Sequence, residues 1–248
     1  MDKVRTVSDT KRAFYSHHTH PINSIYRRVV EELMVEMHLL SVNNEFNHNP
    51  IYALGVATSF NRFMQGYQPE ADKESIFNAL CLAVEGDPNQ YRQESERVLS
   101  FAQRLPGSEL VSWFTVPTPR DDVADIYASL QADDGKPKYR YSRLFAIGLY
   151  TLLEEADPQS TKDEKRLNQS LEQIATAFNF SPEKIQKDLE LYRGNLDKME
   201  QARIAMEDAL KAERKKRQQR ALEKQKKQEK AGEEKDSSSA QDEASSST

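Results

Sequence analysis

The sequence predicts an all-α chain, a helical bundle-like body followed by a long charged C-terminal helix, and three observations predict it. Glycine is scarce, eight in 248 residues. No Asn-Gly or Asp-Gly hairpin joins two apolar runs, and no apolar alternation of period two is sustained. Instead, apolar residues recur at steps of three and four in segment after segment. About 37% of the residues are apolar, enough for one good-sized core, with the charged tail diluting the count.

The elements follow in order. Ser8-Asp9-Thr10 can cap a short helix through Phe14 and Tyr15, which ends at His17-His18-Thr19-His20 before Pro21. Asn23 or Ser24 caps a longer helix with Ile25, Val29, Leu33, Met37 and Leu40 on one stripe and Tyr26, Val30 and Met34 beside it. Asn43 to His48 reads as a polar turn. Asn49-Pro50 starts a helix carrying Ile51, Leu54, Thr58, Phe60, Phe63 and Met64, and Gly66 to Pro69 stops it. Asp72 can cap a helix that buries Ile76, Phe77, Leu80 and Val84. Asp87-Pro88-Asn89-Gln90 has the spacing of a capping box, ahead of Tyr91, Val98, Leu99 and Ala102.

Pro106-Gly107 breaks that helix, and a short piece with Leu110, Val111, Trp113 and Phe114 follows. Val116-Pro117-Thr118-Pro119 re-caps a helix with Val123, Ile126, Tyr127 and Leu130. Asp133 to Pro137 is the clearest loop. Tyr141, Leu144, Phe145, Gly148, Leu149, Leu152 and Leu153 then make the strongest amphipathic helix, central to the core, which Ala156-Asp157-Pro158 stops. Leu167, Leu171, Ile174, Ala175 and Phe178 form the last helix of the body, giving a body over 1–180.

Ser181-Pro182-Glu183 opens the terminal helix with a hydroxyl acceptor, a proline at the first position and a carboxylate at the positive end of the dipole. Over 181–210 it carries an apolar seam at Ile185, Leu189, Tyr192, Leu196, Met199, Met206 and Leu210, spaced as in a coiled coil and broken only by Arg203. A charged extension, 211–235, follows. It holds Lys211, Arg214, Lys215, Lys216, Arg217, Arg220, Lys224, Lys226, Lys227 and Lys230 against three glutamates, a net +7 by residue 230. With −5 on the whole chain, −12 falls elsewhere, so an acidic body bears a basic arm. The arm fits an anionic partner, and it equally fits a solvated helix whose glutamates support lysines one turn away. Residues 236–248 are Ser-rich and read as disordered.

Candidate chemistry is sparse. Cys81 is the only cysteine; it excludes an internal disulfide and a cysteine-rich zinc site, and it lies in an apolar run as a small buried thiol. His17, His18 and His20 are adjacent on a helix end, where their rings diverge, and read as a surface helix terminus rather than a metal site. Glu45 and His48 form the only Glu-x-x-His, in a turn; a di-iron bundle needs two such pairs and two more glutamates. No Gly-x-Ser-x-Gly, phosphate-binding glycine loop or dinucleotide fingerprint is present. The expectation is therefore a protein without enzymatic activity, cofactor or metal. The arm has no aromatic residue for base stacking and, with Leu222 nearly alone, no apolar face for insertion into lipid. No segment reaches the roughly 20 apolar residues of a membrane span, and the start has neither signal- nor transit-peptide character.

Several long stretches closely resemble the thylakoid-formation protein family, also called photosystem II biogenesis factors. They are Thr6 to Phe14, His20-Pro21-Ile22, Tyr26 to Leu40, Tyr52 to Val56, Phe60 to Tyr67, Phe77 to Cys81 and Tyr139 to Leu149. The likeness is expected over roughly residues 5–200, without the charged tail. It implies a helical, non-enzymatic accessory protein of thylakoid biogenesis and photosystem II assembly or repair, associated with thylakoid FtsH-type protease complexes. It further implies a cyanobacterial form on the cytoplasmic side of the thylakoid membrane, peripheral and partly soluble. Its arm touches anionic lipids at most weakly, and no specific nucleic acid is expected. The competing reading is an electrostatic membrane- or nucleic-acid-binding scaffold built on the arm.

Overall fold

The computed structural model describes the backbone of residues 5–116, 123–124, 126 and 140–242, with side chains as far as Lys224. Among these residues there are α-helices and one short 3-10 turn, and no strand. They are α1 (Val7–His17), α2 (Ser24–Ser41), α3 (Pro50–Phe63), α4 (Ala71–Ala83), α5 (Pro88–Ala102), α6 (Gly107–Thr115), α7 (Arg143–Ala156), α8 (Glu164–Ala177) and α9 (Pro182–Asp242). Two units emerge, Met1–Met199 and Glu200–Thr248.

The centre of the first unit is the pair α3 and α7, and glycine explains how closely they meet. A methyl group placed on Gly55 would lie 1.7 Å from the Leu144 carbonyl oxygen, and one on Gly148 would lie 2.0 Å from that of Ile51. Neither position admits a side chain, so two backbones cross where most helices keep 8–10 Å between axes. Both helices are correspondingly buried nearly all round: Pro50–Val56 on α3 and Leu144–Leu153 on α7. The sequence expectation of one stripe on α3 was too narrow. A helix between two others has no solvent face for polar residues to mark.

Capping sets most of the helix starts. Asn23, Asn49, Asp87, Ser142 and Asp163 each accept from the first turn of their helices, with Pro50 and Pro88 at first positions. Two caps differ from expectation. α1 is capped by Thr6, which accepts from the Asp9 amide while the Asp9 carboxylate accepts from the Thr6 amide, a reciprocal box one residue pair upstream of Ser8-Asp9-Thr10. α4 has no side-chain cap, and Asp72 instead faces His20 at 3.1 Å. At α5, Asp87 caps but Gln90 donates to Glu94 one turn ahead instead of reaching back. Pro106-Gly107 does not merely break α5. Gly107 opens α6, packed so closely on Asp157 that a methyl would come within 2.7 Å of its Cβ.

On α2 the buried stripe is Tyr26, Val30, Leu33, Met34, Met37 and His38, turned so that Ile25, Val29 and Leu40 lie at its margin. Val123 and Ile126 are buried. Tyr127, Leu130 and the loop expected at 133–137 lie outside the described residues.

The apolar seam of α9 divides. Ile185, Leu189 and Tyr192 are buried, and Leu196 and Met199 pack against the same core, whereas Leu210 is 48% exposed. The helix continues to Asp242, into the Ser-rich stretch expected to lack structure. Elongating an existing helix costs far less than nucleating one. The −12 also divides. Met1–Met199 holds 23 Lys/Arg against 29 Asp/Glu, net −6. The remaining −6 flanks the basic arm, at 200–210 (−2) and 231–248 (−4).

Candidate functional site

Three features of the folded chain can meet a partner: a groove on α2, the polar seat of the terminal helix, and the basic arm. α2 presents its outer face as a groove of about 860 Å³ running from Ser24 to Leu40 and closed by Ser142 and Arg143. Except for Arg27, its charges are held in pairs. Lys11 and the Tyr15 hydroxyl both hold Glu31, at 2.8 Å, and Arg28 holds Glu32 at 3.0 Å. Arg143, at the first position of α7, holds Glu36 with two guanidinium nitrogens. Burial pushes the Glu36 carboxyl above its ordinary range while Arg143 pulls it down. Against this paired background Leu39 stands out, 58% exposed. The groove is thus apolar at one end and largely paired elsewhere, a surface suited to a partner helix.

Beside Arg143 lies the seat of α9. Tyr141 donates to Asp188 at 2.5 Å, and Lys184 sits over the Tyr141 ring at 4.7 Å. Burial and the Asp188 carboxylate both push the Tyr141 phenol upward, so it remains a neutral donor. One turn on, Tyr192 meets Phe63 edge to face, next to the Arg62–Glu154 ion pair, and burial raises its phenol to about 12. The Tyr141–Asp188 hydrogen bond therefore fixes the register of α9, while Ile185, Leu189 and the Tyr192 ring supply the apolar contact. Sequence reasoning missed Glu36 and Arg143. The signal was present: a glutamate in the apolar stripe between Met34 and Met37, and an arginine directly after a serine cap.

The basic arm is helical. A helix turns about 100° per residue, so Lys211, Arg214, Lys215, Lys216 and Arg217 point in five directions and no single face is basic. Lys211, Arg214, Lys215, Lys216, Arg217, Arg220 and Lys224 are exposed; the side chains of Lys226, Lys227 and Lys230 lie outside the described residues. Local pairs support the helix before it: Arg203 bridges Glu200 and Glu207, and Lys211 approaches Asp208 at 3.7 Å. Arg203, the break in the seam, is thus an intrahelical clamp. Met206 is half-buried.

The other candidates fall into structural roles. Of the three clustered histidines, His17 and His20 lie exposed at the end of α1 as expected, and His18 does not. His18 is 1% exposed with Nδ1 2.9 Å from the Ser75 hydroxyl, while His20 faces Asp72. Glu45 and His48 part company: Glu45 pairs with Arg140, and His48 with Glu94 at 2.6 Å, between the rings of Tyr52 and Tyr91. Burial would raise the Glu94 carboxyl, but hydrogen bonds from His48 and Gln90 hold it below its ordinary value. Cys81 is fully buried, and burial pushes its thiol up to about 12, which keeps it protonated and inert. Among the described residues no three His, Cys, Asp or Glu side chains are placed to hold a metal ion. No described helix is long and apolar enough to cross a membrane.

Comparison with known proteins gives this architecture its context. The model of the thylakoid formation protein family matches residues 6–221. The protein Thf1 of Nostoc punctiforme is 60% identical over 220 residues, 89% of this chain and 94% of that protein. Thf1 of Gloeothece citriformis is 57% identical over 222 residues, 88% and 97% of the two chains. The solved structure of Psb29 aligns with a TM-score of 0.75 at 46% identity, covering 86% of this chain and 98% of that one. The family match runs past Leu210 into the basic arm, further than the resemblance near residue 200 suggested, so the arm's first turns are part of the family's pattern. From its first helix through the start of that arm, the chain belongs to the thylakoid formation protein family.

Proposed function

We propose that this chain is a non-enzymatic accessory factor for thylakoid membrane biogenesis and photosystem II assembly and repair. In this reading it acts by associating with thylakoid FtsH-type protease complexes on the cytoplasmic side of the membrane. The observation that carries the reading is the family match over residues 6–221. What supports its physical half is a body of closely packed helices and a partner-sized groove on α2. Docking falls to the body and the arm approaches the anionic lipid face.

The arm's contribution is short-ranged. Its +7 is flanked by −6, so Glu200–Thr248 as a whole carries only +1. Beyond a Debye length, about 8 Å at physiological salt, the flanking acids cancel most of the attraction. Within that distance each nearby cation is worth about 1 kcal/mol at an anionic surface. Such a device tunes residence at a membrane that a partner has already selected. The second reading, an electrostatic scaffold for membrane or nucleic acid, rests on the same +7 and predicts retention on heparin at moderate salt. The test is affinity capture of the tagged full-length chain from solubilised photosynthetic membranes with mass identification. Recovery of FtsH-type subunits supports the reading; dominance of another partner, with those subunits missing, overturns it.

A further inference from the structure

Two buried imidazoles bind α1 to the rest of the body. His18, at the C-terminal end of α1, is 1% exposed and reaches Ser75 of α4. His38, on α2, is 3% exposed and meets the Thr10 hydroxyl of α1 at 2.8 Å. Their partners are hydroxyls, and a hydroxyl can satisfy either neutral tautomer. His18 Nε2 has no partner at all in its buried position. A neutral imidazole tolerates that, with Nε2 as an unprotonated acceptor. An imidazolium cannot, because it must donate from both nitrogens.

We propose that α1 is an acid-released latch: protonation of His18 and His38 opens Val7–His17 from α2 and α4 while the α3–α7 centre stays folded. The surrounding charges fit. Facing His18 are His20 and Asp72, and Asp72 is already engaged by His20 at 3.1 Å. Facing His38 are Arg5 and Asp9, and Asp9 is occupied by the α1 capping box while Arg5 adds positive charge. No uncommitted carboxylate is left to receive a new cation. Burial lowers both imidazoles from their ordinary value of 6.5, more than Asp72 or Asp9 raises them.

The sign follows from linkage. With α1 closed the histidines bind protons less readily than with α1 open, so closure is fully supported above pH 6.5 and is lost as pH falls below it. Each histidine multiplies the opening equilibrium by up to about tenfold per pH unit in that window. Phe14, fully buried on the same helix, keeps opening rare at neutral pH. Elsewhere the centre is closed by backbone contact at Gly55 and Gly148, and the histidine that reaches it, His48 against Tyr52, already has a carboxylate partner in Glu94. Acid therefore uncovers the α4 surface beneath α1 without dissolving the body.

The test is hydrogen exchange of the full chain at pH 7.5 and pH 5.5, corrected for intrinsic rates. Protection of peptides within 7–17 should fall tenfold or more relative to those of α3 and α7, and the H18Q/H38Q double variant should lose this difference. Equal responses of α1 and α3, or an undiminished fall in the double variant, would overturn the latch. Should that variant fail to fold, an NMR titration of the wild-type imidazoles decides: midpoints below 6.5 for both sustain the proposal, and a midpoint at or above 6.5 for either defeats it.

Discussion

The described residues of Met1–Met199 and of Glu200–Thr248 are both helical, yet they are stable for opposite reasons. In the first unit, backbones touch at Gly55 and Gly148, and side chains such as Ile51, Leu144 and Leu189 are buried. In the second, the described contacts are local: Arg203 with Glu200 and Glu207, Lys211 with Asp208. Most helical stability in proteins comes from packing an apolar face, and a helix without one depends on propensity and neighbouring charge pairs. The comparison teaches that α9 is one helix with two physical characters, and that the change falls near Met199, not at Leu210 where the seam ends.

The strongest way to break this picture is at the crossing. Gly55→Ala should cost about 4 kcal/mol or more, because a methyl has no room beside a carbonyl that cannot move aside. Denaturant unfolding of the full chain would show it, and an unchanged midpoint would refute the close approach. Next comes the contrast within α9. Leu189→Ala should cost about 2–4 kcal/mol and Leu210→Ala less than about 0.5 kcal/mol. Equal costs would mean that the seam packs along its whole length. Smaller again, Arg143→Met should cost about 2 kcal/mol by leaving Glu36 without its partner, and Glu36→Met on top of it should recover part of that loss. A double variant worse than the single would show that the pair, not the orphaned carboxylate, carries the effect. The smallest effect belongs to the arm: 1 M salt should reduce exchange protection over 200–224 and leave α3 and α7 unchanged.

Much of this was legible in sequence, for identifiable reasons. Asn49-Pro50 and Ser181-Pro182 announce helix starts because cap chemistry is local. Leu167, Leu171, Ile174, Ala175 and Phe178 announce a buried stripe because one face of α8 is wet; all five are buried. The central position of α3 was not legible, since a helix buried all round shows no stripe. The His18–Ser75 and His38–Thr10 contacts join residues 57 and 28 positions apart. Local pattern therefore presents His18 as part of a polar cluster at a helix end and leaves His38 unmarked inside α2. The α2 groove was hidden likewise, because Glu36 finds Arg143 across 107 residues.

For function the same division sets the decisive measurement. The full chain and a form ending at Leu210 should be incubated with photosynthetic membranes at low and moderate salt, then sedimented, with FtsH-type subunits captured from each pellet. If the body docks and the arm only adds electrostatic residence, both forms capture those subunits, and only the full chain shows salt-sensitive sedimentation. Loss of the subunits on removal of the arm would contradict the account by placing the docking surface beyond Leu210.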